Sequence, residues 1–203
     1  MTDRLNAAAR RLPTWPFYLT GLAVPLWYVY LAASGRLGIE PVEALEHRLG
    51  LLGLQFLAAG LMVTPLRRFT GLNLLRFRRM LGLLAFYYIA AHVAVWLVLD
   101  VGALRVALGE VVKRPYIAVG MAGFLLLVPL AATSTNAAIR RLGPAWRRLH
   151  RLVYPAALLG AAHFVMLRKG WQLEPLVYLG LLALLVGLRW LPKGRSPGRV
   201  ARA

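Results

Sequence analysis

The 203-residue chain contains no cysteine, which removes disulfides, iron–sulfur clusters, cysteine-based zinc sites and thioether attachment of a cofactor. Acidic residues are nearly as scarce, with seven Asp and Glu against 25 Lys and Arg. Charged residues of both signs make up only 16% of the chain and hydrophobic residues 60%. That is too little polar surface to cover a soluble globule of this size, so the surroundings are lipid. The basic residues fall in short clusters between apolar runs rather than on amphipathic or stacking elements, which argues against nucleic acid. No Walker-like or G-x-G-x-x-G element is present, so nucleotide chemistry belongs to a partner. No repeat of 20–50 residues and no low-complexity tract is evident.

What the chain has instead is six apolar runs, at 17–34, 49–66, 80–99, 116–135, 152–168 and 173–191. Runs of roughly 17–20 residues cross a ~30 Å hydrocarbon core as helices, because a span in lipid must satisfy its own backbone hydrogen bonds. The expected fold is an all-α membrane protein, a single six-helix transmembrane domain over 1–203. The first run follows Arg10 and Arg11 like a signal peptide, but Trp27, Tyr28 and Tyr30 at its far end read as an interfacial belt that keeps it as a span. Pro25, Pro65, Pro129 and Pro155 predict kinks or span ends. Of the 25 basic residues, 18 fall on one side of this arrangement, and six of the seven acids fall on the other. Positive charge stays cytoplasmic, so both termini are expected there.

Four histidines are present. His92 stands in Ile-Ala-Ala-His-Val-Ala on the third run and His163 in Gly-Ala-Ala-His-Phe-Val on the fifth, where small neighbours leave room for a macrocycle. Counting ~1.5 Å per residue from the cytoplasmic arginines puts His92 ~20 Å and His163 ~18 Å up, level with each other. A mid-span histidine is either an interhelical hydrogen-bonding group or a ligand, and two at one depth suit the axial positions of one haem. His150 falls at the cytoplasmic edge, ~20 Å below His163. It is either an ordinary interfacial residue, a docking group, or the ligand of a second haem whose partner near Arg78, Arg79 or Met80 is not a histidine. His47 reads as solvated or interfacial. Arg78, Arg79, Arg147 and Arg148 are candidates to pair with haem propionates or an anionic donor, or simply carry the positive-inside charge.

Four stretches in order, Asn73–Gly82 leading to His92, Lys113–Ile117, Leu130–Asn136, and Trp146–Tyr154 leading to His163, resemble the haem-binding membrane subunits of bacterial periplasmic methionine sulfoxide reductase systems. That family is similar to the transmembrane domain of ferric reductases and NADPH oxidases. The resemblance implies one or two b-type haems with iron ligands among His92, His150 and His163, and an inner-membrane location. It also implies electron delivery to a periplasmic molybdopterin-dependent reductase that repairs oxidised methionine, without this subunit itself reducing the sulfoxide. The implied donor is the quinone pool or a cytosolic flavin reductase, with flavin mononucleotide in some members. The chain departs from the ferric-reductase pattern in lacking a second histidine on the third run and any flavin or nicotinamide domain. Two other readings stand beside this one: a quinol-oxidising cytochrome b of another respiratory enzyme, and a cofactor-free small transporter.

Overall fold

A computed structural model describes residues 2–168 and 171–190. Lys169 and the four basic residues beyond 190, counted above for topology, lie outside the described residues, as does the end of the sixth run. The described residues form ten α-helices and no strand. They are α1 (Thr2–Arg11), α2 (Trp15–Ala33), α3 (Pro41–Thr70), α4 (Arg78–Val95), α5 (Leu104–Lys113), α6 (Pro115–Ala132), α7 (Asn136–Leu142), α8 (Pro144–Leu149), α9 (Val153–Leu167) and α10 (Leu173–Gly187). A π-helical segment, Trp96–Val101, prolongs α4, and 3-10 turns at Leu75–Phe77 and His150–Leu152 lead into α4 and α9.

The six apolar runs appear as α2, α3, α4, α6, α9 and α10, and the chain is an all-α membrane protein. By length and composition α2, α3, α6 and α4 with its flanking turns can cross a membrane, whereas α9 and α10 are only 15 residues each. Several boundaries differ from expectation. Helix α3 begins at Pro41 rather than 49, because proline at a first helical position carries a preset φ and lacks only an N–H that would have no intrahelical partner there. Pro65 does not end α3, which continues to Thr70 and stops at Gly71, whose φ of 75° suits only glycine well. Pro25 and Pro129 are likewise interior, and Pro155 sits in the first turn of α9, where it costs little. The connections at 100–115 and 136–149 contain the short helices α5, α7 and α8, which hydropathy alone does not reveal.

Packing is closest within two pairs, α3 with α4 and α6 with α9. Lipid tails are as apolar as leucine, so helices here gain by close approach, and the contacts use small residues accordingly. Ala157 and Ala161 on α9 are fully buried. A Cβ added at Gly53 would lie 2.5 Å from Cγ1 of Ile89, and one at Gly123 would lie 3.3 Å from Cβ of Leu159. Leu54, Leu57 and Leu61 of α3, Ala85 of α4, Leu127 of α6 and Leu182 of α10 fill the shared core. At the arginine-rich end, α1 is strapped across the 71–77 connection: the Asn6 amide donates to the Gly71 carbonyl and accepts from the Asn73 N–H, and Arg76 donates to the Ala9 carbonyl.

Because Gly53 meets Ile89 so closely, Gly53→Val forces two main helices apart. It is expected to cost about 1–3 kcal/mol and to lower the melting temperature in detergent. Gly82→Ala, which has nothing within 4 Å of its added methyl, should leave the melting temperature unchanged.

Candidate functional site

His92 on α4 and His163 on α9 face each other with ring centroids 6.3 Å apart and planes at 70°. Each ring is held the same way. Nδ1 of His92 lies 2.9 Å from the backbone carbonyl of Glu46, and Nδ1 of His163 lies 2.7 Å from that of Tyr116. A carbonyl oxygen only accepts, so Nδ1 carries the proton in both rings and Nε2 keeps its lone pair. This second-sphere hydrogen bond is the one that fixes tautomer and orientation in metal-ligating imidazoles.

Room for each ring comes from a glycine one turn further along the helix that supplies the carbonyl. A Cβ at Gly50 would stand 3.2 Å from Nδ1 of His92, and one at Gly120 would stand 2.7 Å from Nδ1 of His163. The contact set is therefore duplicated: Glu46, Gly50, Gly53, Ile89 and His92 in the α3–α4 pair match Tyr116, Gly120, Gly123, Leu159 and His163 in the α6–α9 pair. The offset is 70 or 71 residues, longer than the repeat periods considered in the sequence. Its signal was present as Gly-x-x-Gly at 50–53 and 120–123 and Ala-Ala-His at 90–92 and 161–163.

A cavity of about 440 Å³ opens between the two pairs, within the range of small-molecule and cofactor sites. Both histidines and both glycines line it, with Leu54, Leu57, Phe124 and Leu127 giving it an apolar floor. Glu46, His47, Asp100, Glu110, Arg114 and Tyr116 gather at the opposite, acidic end. Sequence reasoning missed most of this rim. His47, expected to be solvated or interfacial, belongs to α3, lines the cavity, packs on Phe164 at 5.6 Å and accepts a hydrogen bond from Arg168. Early initiation of α3 at Pro41 turns it inward. Among the described residues no group of three or more His, Asp or Glu could hold a bare metal ion. Two opposed imidazoles suit instead a metal whose remaining ligands come from a planar macrocycle.

His150 is elsewhere. It sits on a 3-10 turn rather than on α9, so the count of ~1.5 Å per residue along one continuous α-helix to His163 does not apply to it. Its ring stacks on Trp146 at 3.9 Å, and Nε2 lies 3.1 Å from Oγ1 of Thr133. Thr133 Oγ1 is 2.6 Å from the Pro129 carbonyl and donates to it, so Nε2 of His150 is the donor to Thr133. Burial, and then the charge of Arg78, push the pKa of this histidine down. Seventy residues back, where the repeat would set its counterpart, stands Met80. Arg79 donates to the Asn136 side chain at 2.8 Å, and none of Arg78, Arg79, Arg147 or Arg148 lines the cavity between His92 and His163.

Two facing imidazoles in an apolar cavity of an all-α membrane protein define a class, and the model of the family described as ferric reductase like transmembrane component matches residues 48–161. Among curated proteins, the Agrobacterium fabrum protein-methionine-sulfoxide reductase heme-binding subunit MsrQ is 51% identical over 176 residues, 86% of this chain and 82% of that protein. The MsrQ subunits of Brucella anthropi (47% over 190 residues, 93% and 86%) and Brucella ovis (48% over 173 residues, 85% and 79%) are similar to the same extent. The chain belongs to the MsrQ family. No solved structure matches it.

The two glycines make unequal demands. Gly120→Ala drives a methyl into the His163 ring and should lower thermal stability by about 1–3 kcal/mol, while Gly50→Ala, with its looser contact, should cost clearly less. Melting curves of the two variants in one detergent check the order.

Proposed function

We propose that the chain is the haem-binding, electron-transferring membrane subunit of a methionine sulfoxide reductase system, with b-type haem held between His92 and His163. The observation that carries this reading is the 6.3 Å separation of the two rings. Imidazoles on opposite sides of one metal, each bonded at about 2 Å, have their centres about 6 Å apart. The glycine cradles support the fit, since a side chain at either position would occupy the space the imidazole needs. Bound there, the group supplies a one-electron iron couple.

The chain's own residues do the rest. The carbonyls of Glu46 and Tyr116 hold both rings with Nε2 inward, raise their basicity as ligands and keep the pair from rotating when charge changes. Leu54, Leu57, Phe124 and Leu127 exclude water from the cavity floor. The subunit, read as one transmembrane unit over 1–203 in the bacterial inner membrane with both termini cytoplasmic, takes electrons at its arginine-rich end. The donor is quinol or a cytosolic flavin reductase, and the acceptor is a periplasmic molybdopterin-containing reductase, which does the sulfoxide chemistry. Transfer in that direction is downhill in the normal membrane potential by about 2.3 kcal/mol per 100 mV. One haem per chain is favoured over two, because Nε2 of His150 is engaged by Thr133.

His92→Ala and His163→Ala should each abolish the haem bands in a reduced-minus-oxidised visible spectrum of purified protein, and His150→Ala should leave haem content unchanged. A folded His92 or His163 variant with full haem sinks the pairing. For the partner, pre-reduced protein should be reoxidised only when both the periplasmic reductase and a sulfoxide substrate are present. Equal reoxidation without the reductase assigns the acceptor elsewhere.

A further inference from the structure

Helix α2 meets the rest of the bundle unevenly. Among its residues only Gly21 and Pro25 are buried. A Cβ at Gly21 would lie 2.7 Å from Cδ2 of Leu84, so α2 rests directly on α4 there, and Phe17 meets the ring of Phe77 edge-on at 5.9 Å. In the half away from the arginine-rich end, Val24, Tyr28 and Ala32 pack against the cluster of Leu45, Leu49 and Tyr88. In the arginine-rich half α2 stands off from α3, and a second cavity of about 650 Å³ lies between α2, α3 and α4. It shares no lining residue with the His92–His163 cavity.

The chemistry of its walls narrows the occupant. The two lining hydroxyls, of Thr20 and Tyr88, donate to the carbonyls of Pro16 and Gly21 at 3.0 and 2.7 Å. No lining side-chain N–H or O–H remains for a polar ligand such as a quinone ring, whose carbonyls would be buried unpaired at a cost. A hydrocarbon chain makes no such demand. Phe17 and Met62, which line the cavity, are exposed on the bundle surface, so it is reached from the bilayer. The lining runs along α4 from Phe77 to Tyr88 and along α3 from Leu66 to Leu52, about 16 and 21 Å at the rise of an α-helix. One leaflet contributes about 15 Å of hydrocarbon, so the cavity takes a chain from one leaflet.

Charge selects the head that such a chain carries. Arg11 precedes Leu12, Arg67 follows Leu66, and the guanidinium carbon of Arg76 is 5.5 Å from the ring centroid of Phe77. Leu12, Leu66 and Phe77 all line the cavity at its arginine-rich end. Among the described residues the only acid on this side is Asp3, about two helical turns from Arg11 along α1.

We propose that this cavity holds one acyl chain of an anionic phospholipid from the leaflet at the arginine-rich end, with the phosphate among Arg11, Arg67 and Arg76. The chain fills, between α2 and α3, the space that glycines close between the other main helices, and its head is held by charge-assisted hydrogen bonds. Nothing in this depends on the haem.

The test washes purified full chain exhaustively in detergent, identifies retained lipid by native mass spectrometry, and adds back dioleoylphosphatidylglycerol or dioleoylphosphatidylcholine. Wild type should retain one phosphatidylglycerol per chain and prefer it over phosphatidylcholine by about fivefold for each arginine engaged. Ala59→Trp, which puts an indole into the cavity from α3, should abolish retention. Arg11→Gln combined with Arg67→Gln should still bind lipid but lose most of the headgroup preference. Because the chain has no cysteine, Ala59→Cys supplies a single thiol. Its alkylation by a maleimide should be fast after delipidation and severalfold slower once phosphatidylglycerol is restored. Should Ala59→Trp not fold, the arginine pair and the thiol decide. Wild type that retains no phospholipid, a folded Ala59→Trp that retains as much as wild type, or a preference unchanged in the arginine variant overturns the proposal. So does a thiol equally reactive with and without phosphatidylglycerol, or a quinone as the retained molecule.

Discussion

The site depends on two hydrogen bonds from histidine side chains to main-chain carbonyls, Glu46 for His92 and Tyr116 for His163. A helical carbonyl is already committed along its own helix, and it reaches a ring on the neighbouring helix only if that helix comes very close. The close approach is why glycine stands one turn on at 50 and 120, and why Gly53 and Gly123 follow at the next contact. Close packing, ring orientation and an inward lone pair are thus one constraint seen three times. In lipid, where apolar surface gives helices little reason to associate, small residues and interhelical hydrogen bonds of this kind also hold the bundle together.

Duplication of that constraint explains the shape of the cavity. Two helix pairs built on the same contacts present their histidines to each other at one level, and the space between them is bounded by the apolar residues below the glycines. The duplication is not complete. His47, which lines the cavity, has Ile117 at the matching position, so that histidine has no counterpart in the second pair. At the arginine-rich end the counterpart of His150 is Met80. The repeat therefore yields a matched pair of imidazoles at one level only.

Much of this was legible in the sequence. Apolar run lengths located all six main helices, and counting rise per residue brought His92 and His163 to one level, because both quantities follow from helix geometry alone. What was illegible depended on tertiary contact. His47 looked like part of a solvated loop because Glu43, Glu46 and Arg48 surround it, yet α3 starts early enough to turn it into the cavity. Pro65 looked like a stop, but the helix carries it inside and ends at Gly71. The glycines at 50 and 120 could not be told from those at 82 or 180, which meet nothing within 4 Å, until the neighbouring rings were in view. His150 was counted along one continuous helix, and a 3-10 turn intervenes.

The central claim is that His92 and His163 are the two axial ligands of one haem. Electron paramagnetic resonance of the oxidised, purified protein addresses it most directly. With imidazole planes 70° apart, the account expects a six-coordinate low-spin ferric signal of the strongly anisotropic kind given by near-perpendicular axial rings. A high-spin signal in intact protein, or a low-spin signal that survives unaltered in a haem-replete His163→Ala variant, would contradict it.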